Sequence, residues 1–546
     1  MHCCLQVALP TDDEEWTPYV STKLPWTPLV PAFGLEEFGL PTPRRNAETW
    51  RQFDVSGMVN QDYSGSCEDS GKPLELSDEE IATYKGKLEK GGSWIADDLC
   101  QARLVYINGR FAPQLSIEND LAENLGKIDD SVSDEVKSYL SRLTDGFTDE
   151  LAAPVPTGQD TYCTSYKKLG GADHCLGEPF SQFAVNTQQG TACFAALSTI
   201  RTGGVAYVRV PEGHDGETEK RKPVLILNAV TNNGGSASDC DGMSFHPRTL
   251  VVAGENSRLS VVQACVDLDD ESDHVPKLYN GYTQMFVKEG ANITHSFLEE
   301  TGGMVTAGVE QNDDALRNVE AERPALKDTH LECVDVQCIG DDSRYEGVVM
   351  SVGGSGRVRV AHSVSLLRPS AHAKVYGFFL SGGAQRTDCK TNIHHSGQGT
   401  TSDQIQKNMI GGRATGAFRG RIRVEQSAQQ TDSKQISRTI LLSDKSRAWS
   451  VPSLEIIADD VQCTHGATVS DLSEEELFYL RSRGLDTNLA RNLLMYAFAA
   501  DVCNSVDPAM LTSVDSDEGL QSRLIKRLNN VVPQGEREIK GEFQSS

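Results

Sequence analysis

The 546-residue sequence has no CxxC pair, no apolar run of the ~18 residues a bilayer span requires, and little positive charge. Each absence excludes something. Without CxxC, its 14 cysteines do not read as a structural zinc knuckle; the closest pairs are Cys3–Cys4 and Cys333-x4-Cys338. Without an apolar run, no membrane span is expected. The 51 Lys and Arg face 78 Asp and Glu, a net charge of −27. That balance excludes nucleic acid as an expected partner, because phosphate affinity rests on cations that release counterions. No GxxxxGK(S/T) loop occurs, so the chain itself is expected to bind no nucleotide. GxSxG, HExxH and the dinucleotide fingerprint are missing too, and carboxylates are too abundant to single out an acid–base pair. The expectation is a protein that is not an enzyme. The N-terminal "MHCCLQVALPTDDEEW" lacks the basic-then-apolar order of a secretory signal and is too acidic for a transit peptide. The thiols are read as mostly reduced and buried, in a cytosol-like compartment.

The length is too great for one ordinary core and predicts two or three domains, or one elongated repetitive domain with appendages. Residues 1–150 read as a mixed, partly helical region. There Ser77 and Glu80 form a capping box, and "ARLVYINGRF" reads as a strand with an Asn-Gly turn. Residues 151–185, with Pro154, Pro156 and Cys163, read as a linker or insertion. From 186 to 470 short β-branched runs follow one another without a long helix: "GVAYVRV", "PVLILNAV", "HLECVDVQC", "AKVYGFFLSGG". That texture predicts an all-β body. No strict repeat is visible, so periodicity does not choose between a sandwich and a stacked β-solenoid. Polar stretches at 231–247, 267–274 and 302–329 read as insertions. Residues 471–546 turn helical. Ser473 and Glu476 cap the first helix, Gly484 ends it, and Leu489, Leu493, Tyr496, Ala497 and Ala500 mark one face of the next. Leu520, Leu524 and Leu528 mark a third.

In "DDVQCTHGATV", Cys463 and His465 stand two apart, so a strand would project them from one face. Thiolate and imidazole together suit zinc or iron–sulfur chemistry. Two ligands do not make a site, and a buried cysteine beside a hydrogen-bonded histidine has the same spacing. In "DCKTNIHHSG", His394 and His395 must face opposite ways, so at most one can join Cys389. Arg419, Arg421 and Arg423 alternate with Ile422 and Val424, the pattern of a half-exposed strand rather than a phosphate groove.

The run "FRGRIRVEQSAQQTDSKQISRTILLSDKSRAWSVPSLEIIADDVQCTHGATV" (418–469) resembles the SufB/SufD family of iron–sulfur cluster assembly scaffolds. It passes from an F-x-G-x-I-x-V strand to P-x-L-E-I, then to D-D-V-x-C-x-H-G-A-T, a pattern more typical of the SufD branch than of SufB. Weaker matches reach upstream to "PRTLVVAGENSRLSVVQACV", "QARLVYINGRF" and "GLPTPRRNAETWRQFDV". Departures are slight: "ILLS" at 440–443 for "LLLS", Gln263 where relatives often carry glutamate, and longer stretches at 231–247 and 302–329.

The resemblance implies a right-handed parallel β-helix core, with an N-terminal mixed or helical region and a small C-terminal helical domain. It implies a heterodimer with a SufB-type paralogue through the β-helix and a SufC-type ATPase bound by the C-terminal helices. A transient iron or iron–sulfur cluster would be shared with SufB, with His465 the candidate ligand and Cys463 beside it. Leu477, Phe478, Tyr479, Leu480, Arg483 and Gly484 would form the ATPase contact. A homodimeric scaffold working without SufB stays open, as does, remotely, a carbohydrate-active β-helix enzyme. The plastid stroma is the expected location, with bacterial cytoplasm as the alternative.

Overall fold

A computed structural model of the chain describes residues 73–90, 99–126, 132–141, 204–214, 222–231, 242–268, 275–302 and 327–508, together with isolated positions up to 528. The expected linker at 151–185, the cysteines at 3, 4 and 163, and the greater part of the three polar insertions lie outside the described residues.

The body is a parallel β-solenoid. It opens with β1 (Ala102–Ile107), β2 (Arg110–Phe111), β3 (Ala122–Asn124), β4 (Val205–Val210), β5 (Val224–Val230) and β6 (Met243–Phe245). It continues through β7 (Arg248–Ala253), β8 (Arg258–Asp267), β9 (Lys277–Val287), β10 (Asn292–Glu300), β11 (Thr329–Cys338), β12 (Arg344–Ser351) and β13 (Arg357–Leu366). It closes with β14 (His372–Ser381), β15 (Arg386–His395), β16 (Thr401–Ile410), β17 (Thr415–Val424), β18 (Asp432–Leu441), β19 (Arg447–Ile456) and β20 (Gln462–Ser470). Strands from β7 on alternate between two sheets. One runs β2-β1-β5-β8-β10-β12-β14-β16-β18-β20, the other β19-β17-β15-β13-β11-β9-β7-β4-β3 with β6 beside β9. Among the named strands, antiparallel pairing is confined to β1–β2 and β3–β4. Asn108 and Gly109 turn the first hairpin, both at positive φ, as the Asn-Gly pair predicts. β1 then pairs in parallel with β5, so the N-terminal region contributes a strand to the solenoid.

The coil length explains why no strict repeat shows in the sequence. Arg344 lies beside His372, then Thr401, Asp432 and Gln462, steps of 28, 29, 31 and 30 residues. A wandering step and different side chains at equivalent places erase sequence identity while the backbone ladder persists.

Inward side chains of the two sheets form two dry clusters, one around Leu104, Ile226, Val261 and Ile293, the other around Phe297, Val349, Phe379 and Phe418. The outer face of the first sheet is apolar as well, and helices cover it. These are α1 (Asp78–Lys90), α2 (Asp134–Ser141), α3 (Glu474–Ser482) and α4 (Thr487–Cys503), of which α1 and α4 lie on that face and α2 packs on the second sheet. Ser77 and Glu80 make both halves of the capping box on α1 (2.9 and 3.4 Å).

One expectation about α4 is corrected. Leu489 and Leu493 are exposed, and the buried face is Ala490, Met495, Ala499 and Val502. Two alanines let the helix approach the sheet closely, and Lys407 of β16 fixes it by donating to the Phe498 carbonyl and pairing with Asp501. Leu520, Leu524 and Leu528 are buried in the same outer cluster. No described helix is long and apolar enough to cross a membrane.

Candidate cluster-ligand site at the open end of the solenoid

β18 alternates strictly: Ser433, Gln435, Ser437 and Thr439 are buried, while Lys434, Ile436 and Arg438 are exposed. β20 is registered on it in parallel, Ser433 beside Cys463 and Gln435 beside His465. Partners across a ladder share a face, so Cys463 and His465 continue the inward column of the first sheet. The same-face expectation for this pair holds. Among the described residues no strand follows β20 in its sheet, nor β19 in the other, and none of them extends the column beyond this end. Cys463 is half-buried there and His465 exposed.

A chain of polar side chains leads to the pair from within. The His395 ring nitrogen Nε2 meets Ser402 (2.9 Å) and Ser402 meets Ser433 (2.7 Å), the residue under Cys463. Thr391 accepts from Gln404, and Gln404 accepts from Gln435 Nε2 (2.7 Å), the residue under His465. Gln435 Oε1 is buried without a protein partner. Gly420 makes room for this amide, since a Cβ there would lie 2.3 Å from Gln435 Nε2. Burial, with Asp432 nearby, raises the Cys463 thiol above its ordinary 9.0, so it is protonated at neutral pH unless a metal displaces the proton. The rim is apolar and exposed at Trp449, Val451, Ile456 and Val469.

Directly after β20, Ser473 caps α3 by accepting from the Glu476 amide (3.3 Å). Gly484, at φ +93°, ends it. Leu477 points into the protein and Leu480 is half-buried, whereas Phe478 is 74 % exposed and Tyr479 56 %. Arg483 lies over the Tyr479 ring at 5.0 Å. With Leu489 and Leu493 of α4, these rings leave an apolar surface that the solenoid does not use.

Comparison with known proteins bears on both features. The family model described as "SUF system FeS cluster assembly, SufBD core domain" matches residues 235–498. The iron–sulfur cluster assembly protein SufD of Escherichia coli is 35% identical over 91% of this chain and 91% of its own length. The chain belongs to the SufBD family. A SufBD family protein of Synechocystis, slr0076, is 26% identical over 86% of the chain and 85% of its own length. The chloroplastic protein ABCI7 of Arabidopsis thaliana is 26% identical over 70% and 72%.

The SufBD match includes β20, α3 and most of α4, and with them every candidate residue of the resemblance. The other motifs in this region are structural. His394 and His395 do face opposite ways. His394 pairs outward with Glu425 (3.0 Å), and His395 is buried between Thr400 and Ser402. Cys389 faces inward toward Gln406, six residues and so about 20 Å from His395 along the strand. Arg419, Arg421 and Arg423 are half-exposed as expected, and Arg421 and Arg423 are neutralised by Glu455 and Glu425. Cys333 and Cys338 are free thiols, as are all seven described cysteines. The polar residues under the Cys463–His465 pair were not singled out from the sequence. Their signal was present: "SKQISRT" alternates polar residues into what becomes a buried face.

Proposed function

We propose that this SufBD protein is a SufD-type, non-catalytic scaffold subunit. It pairs with a SufB-type paralogue through the β19–β20 end and binds a SufC-type ATPase through the helical region 471–546. A transient iron or iron–sulfur cluster is held between the paralogues, with His465 and Cys463 the ligands from this side. One observation carries the reading: the uncovered solenoid end, where the only two soft-ligand side chains of the last strand close an inward polar column. A thiol and an imidazole alone cannot complete a cluster's coordination, so the remaining ligands come from whatever covers that end. The uncovered ladders of β19 and β20 and their apolar rim suit a second β-solenoid. The chloroplastic and bacterial relatives support a location in the plastid stroma, with bacterial cytoplasm as the other setting.

Co-expression with SufB-type and SufC-type proteins, followed by mass determination and iron and sulfide analysis, tests this. The expected result is one copy of this chain per SufB-type chain, with iron and sulfide lost in His465→Ala while the complex persists. A complex that keeps its iron and sulfide in the variant returns His465 to a structural role. A homodimer that ignores the SufB-type chain overturns the partner reading.

The ATPase contact has its own test. Phe478→Ser with Tyr479→Ser removes two exposed rings, each worth about 1–3 kcal/mol at an interface centre. SufC-type affinity is expected to fall at least tenfold with the thermal midpoint of the solenoid unchanged. Unaltered affinity places the contact elsewhere.

A further inference from the structure

Inside the solenoid, far from the open end in sequence, Cys265, His330 and Glu332 bring a thiol, an imidazole and a carboxylate together from facing sheets. Their donor atoms all lie within 4.8 Å of one another. Cys265 belongs to β8 of the first sheet, and His330 and Glu332 to β11 of the second. The three are at most 3 % exposed. The cluster is separate from the Cys463–His465 site and does not depend on the partner reading.

The hydrogen bonds around it leave lone pairs aimed inward. Thr301 Oγ1 donates its single proton to Glu299 Oε1 (2.5 Å), so at His330 Nδ1, 3.3 Å away, the hydroxyl can only accept. Nδ1 therefore carries the ring proton and Nε2 presents a lone pair. Nε2 has no hydrogen-bond partner, and neither does Glu332 Oε2, 3.7 Å from it. The other Glu332 oxygen is held by Thr283 (3.3 Å). Two unmatched acceptors facing each other in a dry interior are costly unless something cationic lies between them.

The surroundings hold the three side chains in place. Tyr279 stacks on the His330 ring at 4.4 Å and 14°, and its hydroxyl lies 2.9 Å from Cys265 Sγ. Gly281 leaves the room Glu332 occupies, because a Cβ there would fall 2.0 Å from Oε2. A narrow recess adjoins this shell, lined among others by Phe245, Lys277, Tyr279 and Thr301. Tyr279 and Thr301 thus touch both the recess and the cluster.

We propose that Cys265, His330 and Glu332 bind one borderline divalent transition metal, zinc(II) or iron(II), within the solenoid. Thiolate, neutral imidazole and carboxylate give such an ion a net-neutral site, the arrangement a low-dielectric interior tolerates best. Tetrahedral zinc places neighbouring ligand atoms about 3.3–3.8 Å apart. The His330–Glu332 separation of 3.7 Å is within a few tenths of an ångström of that spacing, and the sulfur lies within 4.8 Å of both. Binding releases the thiol proton to solvent, the fourth position is left to water, and the Tyr279 hydroxyl donates to the bound sulfur.

The test uses the full chain carrying Cys463→Ser and His465→Ala, which silences the open-end ligands, with cobalt(II) as the probe. One equivalent of cobalt is expected, with a near-ultraviolet thiolate-to-cobalt charge-transfer band. Cys265→Ser should abolish the band, and His330→Gln or Glu332→Gln should weaken binding about 100-fold. X-ray absorption on the loaded parent needs no further variant and should show one sulfur among lighter ligands. Zinc and iron(II) competing for the bound cobalt then rank the two natural ions. No cobalt uptake, a band that survives Cys265→Ser, or a shell without sulfur overturns the proposal.

Discussion

Glu300→Leu is expected to release the C-terminal helical segment from the solenoid, at a cost of about 3–5 kcal/mol. Glu300 closes β10 and is buried. Arg523 Nη2 meets its Oε2 at 3.1 Å and Arg527 Nη2 its Oε1 at 2.9 Å. Both arginines are buried, and burial pulls the Arg527 guanidinium below its ordinary range despite the carboxylate beside it. Leucine keeps the volume but leaves two buried cations without their shared anion. That penalty, rather than the lost attraction, sets the magnitude. An exposed pair gives the contrast. Lys374–Glu346 is close (2.7 Å) but half-exposed on both sides, and Glu346→Gln should cost less than about 1 kcal/mol. Hydrogen exchange reads the difference: in Glu300→Leu, protection at 520–528 should collapse while β14–β18 keep theirs. Retained protection at 520–528 would show that Leu520, Leu524 and Leu528 hold the segment alone. Adding Arg523→Leu and Arg527→Met should restore much of the docking, because nothing charged is then left buried.

The sequence discloses what local chemistry determines and conceals what register determines. Short β-branched runs, the Ser77 box, the Asn108–Gly109 hairpin and the helix end at Gly484 are all written in neighbouring residues, and the structure has each. The pairing of Cys463 with His465 is legible for the same reason, since a strand's period of two needs no partner to be read. The face of α4 misleads. Large leucines suggest the buried side, but a helix lying flat on a sheet gains more from Ala490 and Ala499, and Leu489 and Leu493 stay outside. The Cys265 cluster is half visible, as His330-x-Glu332 on one strand. Its thiol comes from the opposite sheet, 65 residues earlier (330 − 265), and only the packing of one sheet against the other brings it there.

Acidification is expected to destabilise the solenoid well above the pH at which carboxylates protonate. Three inward histidines are buried and held neutral: burial pushes His295 down to about 3, His362 to about 4 and His395 to about 3. Tyr345 stands between the first two, its hydroxyl 3.2 Å from His295 Nδ1 and 3.0 Å from His362 Nε2, and His395 is held by Thr400 and Ser402. Unfolded, each titrates near 6.5. Above that pH both states are neutral and the stability is fully present. As pH falls from about 6.5 toward 4, the unfolded chain gains protons the native one refuses, and stability is lost. Three protons correspond to about 4 kcal/mol per pH unit. Glu299 and Glu332 act in the opposite sense, because burial raises both and the native state binds their protons first. If each offsets a full proton the slope falls to about 1.4 kcal/mol per unit, still a large loss over two units. Urea unfolding at pH 6.5 and 4.5 measures it, with the midpoint expected to drop steeply. His362→Gln keeps an acceptor for Tyr345 yet cannot titrate, so it should remove one proton's share of the slope. A midpoint that does not move between those pH values would mean these rings are charged in the native state, which a dry lumen does not permit.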